Sequence, residues 1–422
     1  MTTRRLGYFF VTIGLASIGQ GLVLSYLMVY LHDALHIPLT TVGLFLVAAG
    51  VTGLLASSLA GATIDRIGAL GALKAGIVLQ SVGAVALALI SNRVTALLAV
   101  SISGIGPAIF WPSQFALLSG LVSPTNRTKS FALQLTVLNA GIGLGGIISG
   151  SLIHLYDQSS YVKVYLADAL ILMISVVVLN VAFKRWQVQN RDKQKISPLD
   201  SPKKITHSQK RSSYMLVMSN KAFRRYVVIH FGFVFFGFAQ LESGWSAYAT
   251  QFGGATPRVV GFAFAVDTAV IVFVQLPVSR MVDRVKRSKA LAIAGAIWAV
   301  SWILGAVAGS SRVRGLPSDA FLLLSMAVFG LAETVFSPVA SMLVNDLAEE
   351  SLRGRYNAIT SAMWPLAGLV SPPLGALLLS TGISWAWITP LILGSATTAV
   401  LASRLSKVLP ADVEAARVIP LT

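Results

Sequence analysis

The sequence predicts an all-α integral membrane protein with twelve transmembrane helices, arranged as two pseudo-symmetric halves of six. Three observations predict this fold class. First, the 422 residues are 55% hydrophobic and only 12% charged, which leaves too little charge to cover a soluble protein of this length. Second, twelve apolar stretches each approach the roughly 20 residues that a helix needs to cross a bilayer. Third, the chain contains an internal repeat.

The twelve stretches follow one another with short connections, apart from one long polar segment after the sixth. That segment, residues 185–223, is basic, contains Pro198 and Pro202, and indicates a solvated linker. The predicted units are therefore an N-terminal half at 1–184, the cytoplasmic linker, a C-terminal half at 224–410 and a cytoplasmic tail at 411–422. The spans are predicted at about 8–30, 39–62, 69–91, 95–119, 129–153, 162–184, 225–249, 257–280, 288–309, 319–343, 355–379 and 384–404.

The internal repeat relates the two halves to each other. Residues 42–66 match residues 260–284 without a gap, and both copies are apolar stretches that end in an acid–base pair. Repeated halves in a very apolar chain are typical of transporters with a central cavity between the repeats. The matched pairs are Val42-Gly43 with Val260-Gly261 and Asp65-Arg66 with Asp283-Arg284.

The net charge of +17 is distributed over separate loops and tails. With the N-terminus in the cytoplasm, 28 of the 33 Lys and Arg residues lie on cytoplasmic segments. The positive-inside rule therefore predicts that both termini are cytoplasmic. A nucleic-acid-binding protein would carry these residues on one folded face, so that class is excluded. The absence of cysteine and the scattered five histidines predict no metal site, and short loops without cysteine favour a prokaryotic inner membrane.

The junction between the second and third predicted spans carries the segment Gly61-Ala-Thr-Ile-Asp65-Arg66-Ile-Gly68. It resembles the cytoplasmic signature of the major facilitator superfamily, G-x-x-x-D-R/K-x-G-R/K-R/K. Here Ala69-Leu70 replaces the final basic pair. The twelve spans, the basic central linker and the degenerate copy of this signature that ends at Asp283-Arg284 resemble the same superfamily over nearly the whole chain.

This resemblance implies a gate at the cytoplasmic side. An aspartate at a helix end can accept hydrogen bonds from the exposed N–H groups at the N-terminus of a neighbouring helix. Such a contact forms only when the cytoplasmic side is shut, so it would favour the outward-open state. The expected gating residues are Gly61, Asp65, Arg66, Gly68, Arg127, Asp283 and Arg284.

Within the superfamily, one motif resembles the twelve-span drug:proton antiporters. Phe110-Trp111-Pro112-Ser-Gln114, followed by Pro124-x-x-Arg127, is similar to the fourth span of that branch and its exit. The branch commonly has an arginine inside this span and a Gly-Pro pair in the fifth, and this chain has neither. The resemblance implies a secondary active transporter that exchanges protons for amphipathic or cationic drugs.

Four acidic residues lie within predicted spans, where an ionisable group costs about 2.5–3.5 kcal/mol on insertion scales. No Lys, Arg or His lies deep enough in a span to neutralise them. Burial disfavours the charged form of a carboxyl group. Such an acid can therefore take up a proton on one side of the membrane and release it on the other. The proton-coupling candidates are Glu242, which ranks first, then Glu333, Asp267 and Asp168.

The rest of the transport path is expected to be apolar and aromatic, with few polar groups. Uncharged polar and aromatic residues within the spans are the candidates for contact with a substrate. They are Gln20 and Tyr26 in the first span, Trp111 and Gln114 in the fourth, Asn139 in the fifth, Gln240, Trp245 and Tyr248 in the seventh, and Trp364 in the eleventh.

The leading hypothesis is a monomeric exporter that works by alternating access and is driven by the proton gradient, without a cofactor. Its expected partners are a small-molecule substrate, protons and membrane lipids. One alternative is a proton-coupled symporter of a polar metabolite, which would need more hydrogen-bonding side chains in the spans. Another is a lipid or lysolipid flippase on the same fold. An enzyme would need a metal cluster or a serine-based dyad, and the sequence contains neither.

Overall fold

The computed structural model describes residues 2–24, 26–123, 126–194, 214–282, 284–310, 312, 314–349 and 352–415. This part of the chain is helical and contains no strand. Among the described residues, ten helices and one bent pair of helices are long and apolar enough to cross a membrane. The longest helix, Leu39–Ala88, is broken at Gly68 and forms two spans, which gives twelve. The twelve spans are α1 Arg4–Ala34, α2 39–67, α3 69–88, α4 Arg93–Leu121, α5 Lys129–Leu152, α6 Gln158–Phe183, α7 Lys221–Phe238 with Ser243–Gln251, α8 Pro257–Val282, α9 Arg287–Ala308, α10 Leu316–Leu347, α11 Arg353–Leu379 and α12 Ser384–Lys407.

The 50-residue helix Leu39–Ala88 consists of two spans joined without a loop. Gly68 breaks it with φ 75° and ψ 161°, a conformation that only glycine adopts readily. A straight helix of this length would reach about 75 Å, more than twice the hydrocarbon thickness. The prediction that the second span ends near residue 62 is therefore too short. Asp65 and Arg66 lie in the last helical turn before the break, not in a loop.

The first span of each half departs from a regular helix. α1 is interrupted at Tyr26 and ends in a π-helical turn, Tyr30–Ala34. α7 bends by 40° and contains the π-helical turns Val234–Phe238 and Leu241–Trp245. Turns of this kind interrupt the regular hydrogen-bond ladder and often occur at functional sites. The irregular geometry therefore falls on the two repeat-related helices that begin the halves.

Each half has its own core. In the N-terminal half, Phe9, Leu73, Phe110 and Leu118 are buried in one cluster. The core of the C-terminal half is rich in aromatic rings, and Trp298 lies 5.5 Å, centroid to centroid, from Phe233 and from Phe336. The outer faces of the helices expose leucine, valine and phenylalanine side chains. An apolar exterior of this kind suits a protein surrounded by lipid.

The two halves meet near one end of the bundle, where α2 lies against α11 and α5 lies against α8. Gly43 of α2 packs against Ala376 of α11, and Gly261 of α8 packs against Gly146 of α5. Since the repeat aligns Gly43 with Gly261, the two contacts are equivalent. We call this region, defined by Gly43, Ala376, Gly146 and Gly261, the sealed end.

The linker and the tail both contain helical segments. The helix of α6 continues to Gln194, because a helix keeps its own backbone hydrogen bonds when it leaves the membrane. Residues 214–219 are also helical, and 195–213 lie outside the described residues. The tail folds back as a short helix, α13 (Ala411–Glu414). Glu414 accepts hydrogen bonds from the backbone and the hydroxyl group of Ser288, at the N-terminus of α9, where an anion is favoured.

Candidate functional site

A cavity of about 970 Å³ lies between the two halves. Helices α1, α2, α3, α4 and α6 line it from one side, and α7 and α11 line it from the other. The cavity begins near Met28, next to the sealed end, and continues to Gly61 and Ala358 at the opposite end. We call that opposite end the open end. The volume is that of a site for a drug-sized molecule.

The sealed end is closed by backbone contacts and one hydrogen bond. The hydroxyl group of Tyr26 donates to the carbonyl oxygen of Pro257 over 2.7 Å, which joins α1 to α8. A Cβ atom on Gly261 would stand 2.1 Å from the carbonyl oxygen of Gly146, so α5 and α8 touch through their backbones. No space for a solute remains between these two helices at this level.

The cavity wall is largely apolar. Trp111 of α4 and Trp364 of α11 face it from opposite halves. Among the described lining residues there is no Lys, Arg or His, and Asp168 is the one acid. The hydroxyl groups of Ser57 and Ser103 donate to carbonyl oxygens of their own helices, over 2.8 and 2.7 Å, so their donor capacity is already used.

Besides these two serines, three polar side chains lie on the wall formed by the N-terminal half: Gln20 of α1, Gln80 of α3 and Asp168 of α6. We call them the polar wall. Asp168 is only 5% exposed, and its Oδ1 atom fits beside Gly19, where a Cβ atom would stand 2.1 Å from that oxygen. Within the described residues, neither Asp168 Oδ1 nor the buried Nε2 of Gln80 has a hydrogen-bond partner.

Two of the other predicted coupling acids, Asp267 and Glu333, do not line the cavity, and the side chain of the third, Glu242, lies outside the described residues. Asp267 of α8 is buried against Gly330 of α10, and no described residue donates to its Oδ1 atom. Glu333 lies one turn beyond Gly330 and is half-buried. The side chain of Glu242 lies outside the described residues, although its backbone belongs to a π-helical turn of α7. Their coupling roles stay predictions.

The cavity contains three of the predicted substrate-contact residues: Gln20, Trp111 and Trp364. The others lie elsewhere in this state, mostly in contacts that stabilise the halves. Tyr26 joins α1 to α8, and Asn139 is half-buried on α5. The side-chain oxygen of Gln114 accepts a hydrogen bond from Gln134 over 2.8 Å, and Gln240 donates to the carbonyl oxygen of Phe235 over 3.1 Å. The ring of Trp245 lies edge-on to that of Phe264, with 5.5 Å between their centroids. The hydroxyl group of Tyr248 donates to the carbonyl oxygen of Gly305 over 3.4 Å.

Gln80 is a cavity residue that the predicted lining omits. The sequence could have predicted it, because Gln80 is a single amide side chain in the middle of the apolar third span. The same reasoning selects Gln20 in the first span. Gly106 of α4 has no side chain, so the backbone and the Cγ atom of Gln80 pack directly against it.

The predicted gate lies at the open end. Gly61, Asp65 and Arg66 are exposed there, and Gly68 follows at the helix break. Arg284 is exposed in the turn after α8. Two other predicted gating groups, Asp283 and the side chain of Arg127, lie outside the described residues. The exposure of Asp65 is what the gating hypothesis expects of a state in which this end is open.

Two helical halves around a central cavity, closed at one end and open at the other, define a multi-pass membrane transporter. The family model of the Major Facilitator Superfamily matches residues 9–253 and 244–418. The chain belongs to this superfamily, and the resemblance in the sequence motifs is confirmed.

Relatives and solved structures agree with this assignment. The chain is 25% identical over 368 residues to the multidrug resistance protein MdtH of Aeromonas hydrophila, which covers 87% of this chain and 86% of the relative. It is 23% identical over 360 residues to the uncharacterized MFS-type transporter YttB of Bacillus subtilis, covering 83% and 82%.

The fold is shared with solved transporters at lower identity. A POT family transporter in complex with a thioalcohol conjugated peptide matches with a TM-score of 0.73 and 14% identity, over 96% of both chains. The nucleoside transporter NupG matches with a TM-score of 0.72 and 13% identity, over 96% of this chain and 98% of its own. Identities this low establish the fold alone, and the predicted twelve-helix fold is confirmed.

Proposed function

We propose that this transporter exports amphipathic or cationic small molecules in exchange for protons, by alternating access. The observation that carries the proposal is the composition of the cavity wall. It is apolar and aromatic, lacks a basic residue among its described members, and contains the buried acid Asp168. A carboxyl group in such surroundings favours a proton or an organic cation over any anion. The name of the MdtH relatives, multidrug resistance protein, supports the same class of substrate.

Asp168 would carry the exchange because a proton and a cation compete for the same carboxylate. A cation that enters from the open end displaces the proton, and a proton that enters from the other side displaces the cation. One proton exchanged for one monovalent cation moves no net charge, so the pH difference across the membrane would drive this exchange. The resulting coupling needs no cofactor and no basic partner.

Export requires a state that loads substrate from the cytoplasm. The positive-inside rule places both termini in the cytoplasm, and the exposed Asp65 and Arg66 lie at the open end. The state described above is then the inward-facing one, which loads substrate from the cytoplasm. We propose the inner membrane of a prokaryotic cell as the location.

Inverted membrane vesicles provide the test, with ethidium added outside, at the cytoplasmic face, and with or without an acidic lumen. We expect gradient-driven ethidium movement in the wild type and its loss in Asp168→Asn, which removes the charge at nearly constant volume. Asp157→Asn is the matched control, because Asp157 is an exposed acid in the loop before α6. It should transport like the wild type at equal expression.

Glu242→Gln, Asp267→Asn and Glu333→Gln extend the test to the other predicted coupling acids. Loss of gradient dependence in one of these variants, with Asp168→Asn unaffected, would move the proton site away from the cavity and contradict the competition mechanism. If neither ethidium nor other lipophilic cations move with the gradient in the wild type, the proposal of cation export is wrong.

A further inference from the structure

We infer that the polar wall (Gln20, Gln80 and Asp168) recognises a protonated amine that carries N–H groups, and that the transporter discriminates against quaternary ammonium ions. The inference rests on the proposed function, and it narrows the class of substrate. It also assigns the polar end of the substrate to the N-terminal half.

The first argument is the pairing of polar atoms in the cavity. Buried polar atoms in folded proteins nearly always have a hydrogen-bond partner. In the described part of the chain, Asp168 Oδ1 lacks a donor and Gln80 Nε2 lacks an acceptor, although both atoms are buried and both side chains line the cavity. A substrate that pairs with both side chains must present a donor to the carboxyl group and an acceptor to the amide, as an amino alcohol or an amino amide does.

The second argument is that unpaired buried hydrogen-bonding groups lie on one side of the cavity, the side formed by the N-terminal half. On the opposite wall, Ser243 already donates to the carbonyl oxygen of Ala239 in its own helix, and the other lining hydroxyl group, that of Ser361, belongs to an exposed residue. Trp364 and Pro365 of α11 provide mainly apolar surface there. A substrate should therefore lie with its charged end towards α1, α3 and α6 and with its apolar body between Trp111 and Trp364. The C-terminal half contributes shape, and the N-terminal half contributes polar recognition.

The third argument is the position of the carboxyl group. Oδ1 of Asp168 is recessed beside the backbone of Gly19, and the side chain is 5% exposed. An ammonium N–H can approach a carboxylate oxygen to about 2.7–2.9 Å. A trimethylammonium group has no N–H to donate, and its methyl groups hold the nitrogen farther away. It would neutralise the charge only partly and would leave the carboxyl group of Asp168 without a hydrogen-bond donor.

Binding of two probes to the full chain in lipid nanodiscs tests the inference by equilibrium dialysis. The probes are 4-phenylbutylamine and its trimethylated analogue, (4-phenylbutyl)trimethylammonium, which share the apolar body and the charge. We expect the amine to bind at least about tenfold more tightly, which is the penalty for leaving buried polar groups unpaired. Equal affinities in the wild type would overturn the inference.

Variants locate the discrimination. Asp168→Asn should bring the two affinities to within about twofold, and Asp157→Asn should keep the wild-type ratio. Gln80→Met provides an independent test if Asp168→Asn folds poorly: it should weaken the binding of the amino alcohol 2-amino-4-phenylbutan-1-ol, whose hydroxyl oxygen can accept from the amide, by about threefold or more relative to 4-phenylbutylamine. A ratio that stays unchanged in a folded Gln80→Met or Asp168→Asn protein would place recognition elsewhere and contradict the inference.

Transport of the same probes separates this inference from the proposed function. If both probes move with the proton gradient and bind equally, export stands and the discrimination is wrong. If the amine binds selectively but neither probe moves with the gradient, recognition by the polar wall stands and proton-coupled export is wrong.

Discussion

Alanine in place of Gly261 should open the sealed end of the transporter. A Cβ atom there would stand 2.1 Å from the carbonyl oxygen of Gly146 and 2.9 Å from the hydroxyl oxygen of Tyr26. The carbonyl group belongs to the backbone of α5 and cannot rotate away as a side chain would. The two helices must therefore separate by more than about 1 Å before the atoms reach the ~3.5 Å of ordinary contact.

The size of the effect follows from where the clash occurs. Overpacking a tight interface by one methyl group costs about 1–3 kcal/mol. This cost arises only while α5 and α8 touch, so a state that is open at this end does not have it. The ratio of the two states should shift by about 5–150-fold towards the state open at the presently sealed end.

Labelling of a single cysteine can measure this shift, because the chain contains no cysteine of its own. Ala108→Cys would place a thiol on the cavity wall, in α4. Its reaction with a membrane-impermeant maleimide added from the sealed-end side should accelerate about 5–150-fold in Gly261→Ala. Gly120→Ala is the matched control, because nothing lies within 4 Å of a Cβ atom at that position. An unchanged rate in Gly261→Ala would refute the backbone contact as the seal.

Three further substitutions test other parts of the fold. Tyr26→Phe should also speed labelling from the sealed-end side, by about twofold to tenfold, because it removes the hydrogen bond that joins α1 to α8; an unchanged rate would mean that this hydrogen bond does not hold the halves together. Glu414→Ala should lower the melting temperature in detergent by a few degrees, because Ser288 loses a charged partner worth about 1–3 kcal/mol; an unaltered temperature would show that the tail does not stabilise α9. Gly68→Ala should reduce the yield of monodisperse protein, since φ 75° strains a side chain by about 1 kcal/mol or more; a wild-type yield would contradict that strain.

The spans could be predicted from the sequence because the thickness of the bilayer fixes the length of an apolar helix. The ninth span, for example, is predicted at 288–309 and is found at Arg287–Ala308. The predicted spans are shorter than the observed helices where a helix continues past its apolar stretch, as α2 does to residue 67 and the α6 helix does to Gln194. Hydropathy reports the solvent around a helix, and the backbone hydrogen bonds continue regardless of that solvent.

The candidate site was harder to predict because lipid is as apolar as the packed interior. The hydrophobic pattern of a span therefore does not reveal which of its polar residues face a cavity. Asp168 and Gln80 lie on the cavity wall. Gln114 instead pairs with Gln134 between α4 and α5, and Tyr248 donates to a carbonyl of α9. Only the relative rotation of the helices separates these cases, and that rotation depends on packing across the whole half.

The two ends of the transporter would close by different interactions. The sealed end relies on repeat-related glycines, Gly43 and Gly261, whose backbone contacts involve little side-chain interlocking. Inside a membrane, no hydrophobic driving force holds such helices together, so van der Waals contact and the bond from Tyr26 to Pro257 must suffice. At the other end, the closure that we propose for Asp65 is a contact between a charge and a helix dipole. Alternation then exchanges one modest interface for another, and the free-energy difference between the two states stays small enough for a proton or a substrate to reverse it.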